Sequence, residues 1–484
     1  MRSRYKASFL VTALVVALAT LVSGCIGGRA ASQSPSSSQS PSSSQSLSFA
    51  EGSPLQEPAQ MVSHDGVLRV ELAVERQQVD LGGHKLWALT YNGSYMPPTL
   101  RIHPGDKLDV TMRNTLNQVT NLHVHGLHVS PSGNADNIFI QVNPGQTFDY
   151  SYQFPTTLRA GTYWYHSHAD PISAPQVSGG LSGILIVEGL QQYLPANLQN
   201  ITEHVIGLKD FQVEGDSVKT QGLHIGGTTN RTVNGQLNPT ISIRPGETQL
   251  WRLANISANI YYNVQLQGQQ FHVIAHDGTP VDRIWTADSL LLAAGARFDV
   301  LVQGGPPGRS QLQTLAYNTG PAGNSFPQAT LATLVSEGPS TPATALPTSP
   351  FAPTVDLSQA PVAARRTIVF SENNDGTKFY INGKQFDMNR VDIQAKLNTV
   401  EEWTIRNDSN EEHSFHVHTN HFQLMSINGL PHQGHGLQDV ASVPAKGEFV
   451  IRMHFKDYTG KTVLHCHILN HEDAGMMAVL EIVQ

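Results

Sequence analysis

Three sandwich domains built almost wholly of β-strands are what this sequence predicts, on three observations. The strands are short and alternate apolar with polar residues, and turns are dense, with 41 Gly and 28 Pro. Beyond the first two dozen residues no long stretch carries the 3.6-residue period of an amphipathic helix. A unit of strand, Gly or Asn turn and alternating strand occurs three times, and its anchors Asn114, Asn255 and Asn407 are spaced at domain-sized intervals.

Taken in order, the chain begins with Arg2, Arg4 and Lys6 ahead of an apolar run from Phe9 to Val22. That run is too short for a comfortable membrane span and reads as a signal peptide over 1–24. Val22-Ser23-Gly24-Cys25 resembles a bacterial lipobox, so Cys25 is expected as the lipidated first residue of a mature, extracytoplasmic, membrane-anchored chain. No twin arginine is present, and the general secretory route is expected. Residues 25–60, rich in Ser, Gln and Pro, cannot bury a core and are expected to form a disordered tether. The chain has two cysteines; with Cys25 acylated, Cys466 is a free thiol that metal ligation would protect. A net charge of −8 offers no basic footprint for nucleic acid, and none is expected as a partner.

The first domain is expected over 61–190. Its repeat unit runs from Pro98 through Ile102 and Gly105 to Leu108, Val110, Met112 and Asn114. The second, over 198–337, repeats it from Pro239 through Ile243 and Gly246 to Leu250, Leu253 and Asn255. A Pro-rich linker spans 338–362. The third domain, over 363–484, carries a fainter copy from Val391 through Ile393, Trp403 and Ile405 to Asn407.

Counted nine and eleven residues on from each Asn, the first copy has His123 and His125 and the third has His416 and His418. The second has Val264 and Leu266 there. Further pairs stand at His166/His168 and His465/His467, so ten of the 22 histidines fall in these clusters or at His413 and His471. Sites fed equally by the first and third domains must lie at their shared interface. Around Cys466, two histidines and Met476 make up the ligand set of a blue-copper centre. On a strand Cys466 faces one way while His465 and His467 face the other, so one strand can join two metal sites. Zinc is the natural competitor, but a structural zinc takes about four ligands, fewer than are present here.

The motifs His123-Val-His-Gly126, Trp164-Tyr-His-Ser-His168, His413-Ser-Phe-His-Val-His418 and His465-Cys-His-x3-His471-x4-Met476 together resemble those of three-domain multicopper oxidases, in the group of bacterial laccases and cuprous oxidases. The resemblance covers the body from about residue 65 onward. It implies three cupredoxin-like Greek-key domains and four copper ions. A type 1 copper would be held by His413, Cys466 and His471 with Met476 axial. A type 2 copper would take His123 and His416, and a type 3 pair His125, His166, His168, His418, His465 and His467. It further implies that single electrons enter at type 1 copper and pass through Cys466 to the three-copper cluster, where O2 becomes water. Glu472 matches an acid that family members use to relay protons, and Asp136 resembles a second.

Two positions depart from the family pattern: Thr419 replaces the common Gly after His418, and His421 stands where Pro is frequent. His421, His432 and His435 are expected to be polar loop residues, with an extra metal or substrate site as the alternative. With nine Met and no Met-rich cluster, a phenol-oxidising laccase is expected ahead of a Cu(I) or other metallo-oxidase. Less favoured are a copper-sequestering lipoprotein and a scaffold without copper. O2, a small-molecule or metal-ion donor and a monomeric state complete the expectation.

Overall fold

The computed structural model describes residues 47–223, 228–347 and 351–484. The expected signal peptide, Cys25 and most of the expected tether lie outside the described residues. From Phe49 the chain is already part of the body, which corrects the tether boundary placed at residue 60. The Phe49 ring packs edge-on against Phe211, Ala50 N donates to Gly82 O at 2.8 Å, and Leu55 N donates to Thr240 O at 2.9 Å. Phe49 and Leu55 are apolar anchors in an otherwise polar run, and burying them outweighs the composition around them.

Each third of the body is built around one five-stranded and one six-stranded sheet, the first six-stranded sheet being completed by Val213–Glu214 and Ser217–Val218 from the second third, and the expected all-β architecture is what the chain adopts. The five-stranded sheets share one ladder. Strands Thr99–Ile102, Thr240–Ile243 and Ile393–Lys396 pair in parallel with Ser182–Val187, Ala329–Ser336 and Met477–Val483 respectively. Those pair antiparallel with Gly161–His166, Gly308–Leu315 and Gly460–Cys466. Next to these lie His123–His125, Tyr262–Leu266 and His413–Val417. The histidine strands of the first and third domains therefore occupy the position that Tyr262–Leu266 holds in the second, where Val264 and Leu266 are buried in the core instead.

The three anchor asparagines do one job. Asn114 Nδ2 donates to Gln118 O and Val142 O while its Oδ1 accepts from Leu116 N. Asn255 bonds Ile260 O, Leu292 O and Ser257 N, and Asn407 bonds Glu411 O, Val443 O and Ser409 N. Each is buried and closes the corner where the chain crosses from the six-stranded sheet to the strand that, in domains one and three, carries histidines. Asn255→Ala would leave several buried backbone groups unpaired, each costing about 1–3 kcal/mol. A loss of at least ~2 kcal/mol is expected in the urea unfolding of the second domain, and an unchanged midpoint would refute this role for the side chain.

Candidate metal centre

Strand register brings the histidines together. His123 lies opposite His166, and His416 lies opposite His465 with Phe415 opposite Cys466. Alternation sends Val124 into the first domain's core while His123 and His125 face out of it, toward the third domain. There the two pairs cross-stack: His123 on His418 and His125 on His416, both with ring centroids 3.8 Å apart. All ten imidazoles of the sequence motifs are buried.

Their nitrogens fall into groups close enough to share an ion: His125, His166 and His467; His168, His418 and His465; and His123 and His416 together with His125. Within them most rings are anchored at one nitrogen and orphaned at the other. His123 Nδ1 meets Asp136 Oδ1 at 2.9 Å, His125 Nε2 meets Asp439 Oδ1 at 3.0 Å, His166 Nδ1 donates to Ser167 O at 2.7 Å, and His416 Nδ1 donates to Asp439 O at 2.9 Å. Opposite these, His123 Nε2, His125 Nδ1, His166 Nε2 and His416 Nε2 are buried with no partner, as are both nitrogens of His467. His465 Nε2 faces His168 Nε2 at 3.2 Å and His418 Nε2 at 3.1 Å, a convergence of lone pairs. An outer hydrogen bond that fixes the ring and leaves the inner lone pair free is how proteins prepare imidazole for a metal. The donor set fits copper, which imidazole suits.

On the far face of the same strand a separate trio forms. His413 Nδ1 and His471 Nδ1 are 3.1 Å apart, and Cys466 Sγ lies 3.6 Å and 3.8 Å from them. His471 sits on the short helix Leu469–Asp473. Cys466 N donates to Met476 O at 3.0 Å, which seats the buried Met476 beside the trio. Burial pushes the Cys466 thiol far above its ordinary value, so its thiolate needs a cation.

Glu472 is fully buried. Its Oε2 lies 2.8 Å from His465 Nδ1 and its Oε1 3.5 Å from His168 Nδ1. The His465 N–H is aimed at Cys466 O (3.1 Å), so Glu472 touches the ring without a directed hydrogen bond. Burial raises the Glu472 carboxyl, and His168 opposes the rise. Asp136 also accepts from Val124 N at 3.1 Å, and burial pushes its carboxyl up to about 8. Both sequence-predicted acids thus touch the outer faces of ring-forming histidines.

Asp439 and Arg297 were not singled out from the sequence. Arg297, from the middle domain, donates to both Asp439 oxygens at 2.7 Å and 2.8 Å and to Thr162 O at 3.1 Å. It ties the three domains together behind His125 and His416. Gly126, at φ +82°, ends the first motif because a Cβ there would overlap the Arg297 guanidinium and the Asp439 carboxylate. That glycine was the one local signal of a crowded neighbour; nothing in the spacing named it.

Of the histidines set aside, His421 Nε2 lies 3.6 Å from Asp439 Oδ2, and His435 pairs with Asp282 at 3.0 Å. His432 and His435 line a cavity of about 570 Å³ between the second and third domains, and neither joins a metal-sized cluster. Glu412 Oε2 accepts from Tyr317 and Ser442, each at 2.8 Å. Glu411 Oε1 lies 3.6 Å from His471 Nε2, and burial together with Glu372 pushes its carboxyl up to about 9. The His471 edge looks into a depression that also holds Glu372, Asp375 and Asp408.

Family models described as multicopper oxidase match residues 73–192, 197–338 and 358–484. The chain is 30% identical over 412 residues to multicopper oxidase mco of Staphylococcus haemolyticus, covering 81% of this chain and 83% of that one. It is 31% identical over 401 residues to cell division protein FtsP of Edwardsiella tarda, covering 78% and 80%. Among solved structures it resembles a multicopper oxidase from Campylobacter jejuni described as a metallo-oxidase (TM-score 0.78, 25% identity, 90% and 96% covered). A laccase from Pediococcus acidilactici is equally similar (TM-score 0.78, 26% identity, 90% and 95% covered).

Proposed function

The chain belongs to the multicopper oxidase family, and from that premise we propose that its two histidine sites hold four copper ions in a laccase-like oxidase of broad donor range. Multicopper oxidases are oxidoreductases that join the oxidation of a donor to the reduction of O2. The observation that carries the assignment is the set of orphaned inner nitrogens converging in adjoining buried clusters, with Cys466 of the second trio one residue from His465 and His467.

In this reading His413, Cys466, His471 and Met476 would hold type 1 copper, and His123 with His416 would hold type 2. The triads His125/His166/His467 and His168/His418/His465 hold the type 3 pair. Copper bound in these sites supplies one-electron redox chemistry and the four-electron reduction of O2 to water. The protein's own part is to orient and to connect. Cys466 is covalently continuous with His465 and His467, so the path between the sites is three residues of backbone. Glu472, walled from solvent between His168 and His465, holds a proton beside the larger site, and Asp136 does so behind His123. His471 is the ligand nearest a surface depression, so the donor docks there.

Metallo-oxidase activity is the second reading, favoured by the acidic lining of that depression, which suits a cationic donor. The scaffold reading predicts lost ligands, whereas every position of the expected set carries a ligand-type residue; the sequestration reading, copper bound with little turnover, is separated by oxygen uptake. The lipobox-like stretch ending at Cys25 supports an extracytoplasmic, lipid-anchored enzyme. Among the described residues no helix is long and apolar enough to cross a membrane.

The test is copper content together with oxygen uptake, using Cu(I) and a dimethoxyphenol in parallel. About four coppers per chain and faster uptake with the phenol are expected. Preference for Cu(I) would establish the metallo-oxidase reading, and copper-loaded protein inert to both would sink the oxidase reading.

A further inference from the structure

Behind the larger histidine site lies a second cavity, of about 300 Å³, that the proposed reaction does not use. Arg159, His128, Asn420, His421, His454 and Lys456 line it, and no carboxylate does. It sits where the first and third domains meet: His128 Nδ1 faces Thr419 O at 2.7 Å.

Three features of its wall call for a ligand. Arg159 is half-buried, and among the described residues no carboxylate pairs with its guanidinium. Asn420 is buried with both Nδ2 and Oδ1 unpartnered. His421 Nε2 is buried and unpartnered as well. Thr419 adopts φ +67°, a backbone choice rare for a β-branched residue, immediately before the two side chains that face the cavity. Thr419 and His421 are also the two positions at which the sequence leaves the family pattern. The two acids beside its lining residues are already matched: Asp457 by His128 Nε2 at 2.8 Å and Lys456 Nζ at 3.4 Å, and Asp439, 3.6 Å from His421 Nε2, by both Arg297 amines. One guanidinium is therefore left without a counter-charge in a partly enclosed pocket that a primary amide also lines, and that amide can donate to a second oxygen.

We propose that this cavity binds a small oxyanion, phosphate or a carboxylate of similar size, between the Arg159 guanidinium and the Asn420 amide with His421 at its back. A planar guanidinium fork matches two oxygens of such an anion, and a charge-assisted hydrogen bond is stronger than a neutral one. The occupant lies close to the metal centre: His421 Nε2 is 3.6 Å from Asp439 Oδ2, and Asp439 carries His125 and His416. That proximity to copper rests on the proposed ligand assignment; the binding itself does not.

Inorganic phosphate titrated calorimetrically into the copper-loaded full chain, at constant ionic strength set with sodium chloride, tests the proposal. Saturable binding at one site is expected, weakened by roughly tenfold or more in Arg159→Gln and in Asn420→Asp. Acetate should compete. Each variant's visible absorption shows whether it has folded and loaded, and a phosphate-dependent rise in the wild-type Tm provides a check that needs no variant. Absence of saturable binding, or wild-type affinity in Arg159→Gln, overturns the site. Repeating the titration on metal-free protein separates the two claims: retained binding supports the cavity, whereas binding that needs copper places the anion on the metal and overturns it.

Discussion

Glu472→Gln should slow oxygen reduction by about two orders of magnitude while leaving the blue absorption of the Cys466 site intact. Positioned acid–base groups contribute about 10²–10⁴-fold to rates, and Glu472 is the carboxyl buried against both His168 and His465. Gln keeps the side chain's size and its polar contacts but cannot exchange a proton. The Cys466 trio does not depend on it: Glu472 faces the larger site, whereas His413 and Cys466, on paired strands, lie on the opposite face of their sheet. Stopped-flow reoxidation of the fully reduced variant, with absorption near 600 nm as the internal standard, separates the effects. Loss of colour together with rate would mean that Glu472 is needed to build the centre, and an unchanged rate would remove it from proton delivery.

The metal-free chain should lose most of its stability within about one pH unit below 6.5. Burial lowers the pKa of His123, His125, His166, His413, His418, His465 and His467 well below the usual value, that of His168 to about 4 and that of His471 to about 3. The sign follows from proton counting. Below about 6.5 the unfolded chain takes up protons on these rings and the folded chain does not, so stability is fully present above 6.5 and falls with pH down to the folded values. Each ring costs about 1.4 kcal/mol per pH unit in that window, and a few acting together rival the whole stability of a domain, ~5–15 kcal/mol. Asp136 acts oppositely, because a carboxyl raised to about 8 costs stability as pH climbs from the ordinary carboxylate range toward that value. Thermal unfolding of metal-free protein from pH 5 to 8 should give a steep acid limb that copper loading flattens, since a coordinated imidazole cannot take a proton. A flat apo profile would show that the histidine void hydrates and relaxes instead.

Much of the site was legible in the chain because its signals are local. A His-x-His on a strand must present both rings to one face, and Cys466 between two histidines must face away from them. The Asn spacing carried the domain correspondence, and the structure gives the reason: Asn114, Asn255 and Asn407 each close the same corner. Other local signals misled. Phe49 and Leu55 looked like the end of a polar tether because composition averages over the two residues that bind.

By itself, then, the sequence determined which residues could ligate and which face of each strand they share, since both follow from identity and a period of two. Tertiary structure alone decided the cross-stacking of His123 on His418 and His125 on His416, the Arg297–Asp439 pair behind them and the unpaired Arg159 near His421. These depend on charges and rings from different domains meeting in a medium without water. Coulomb energy there is set by distance through space, which no spacing along the chain encodes.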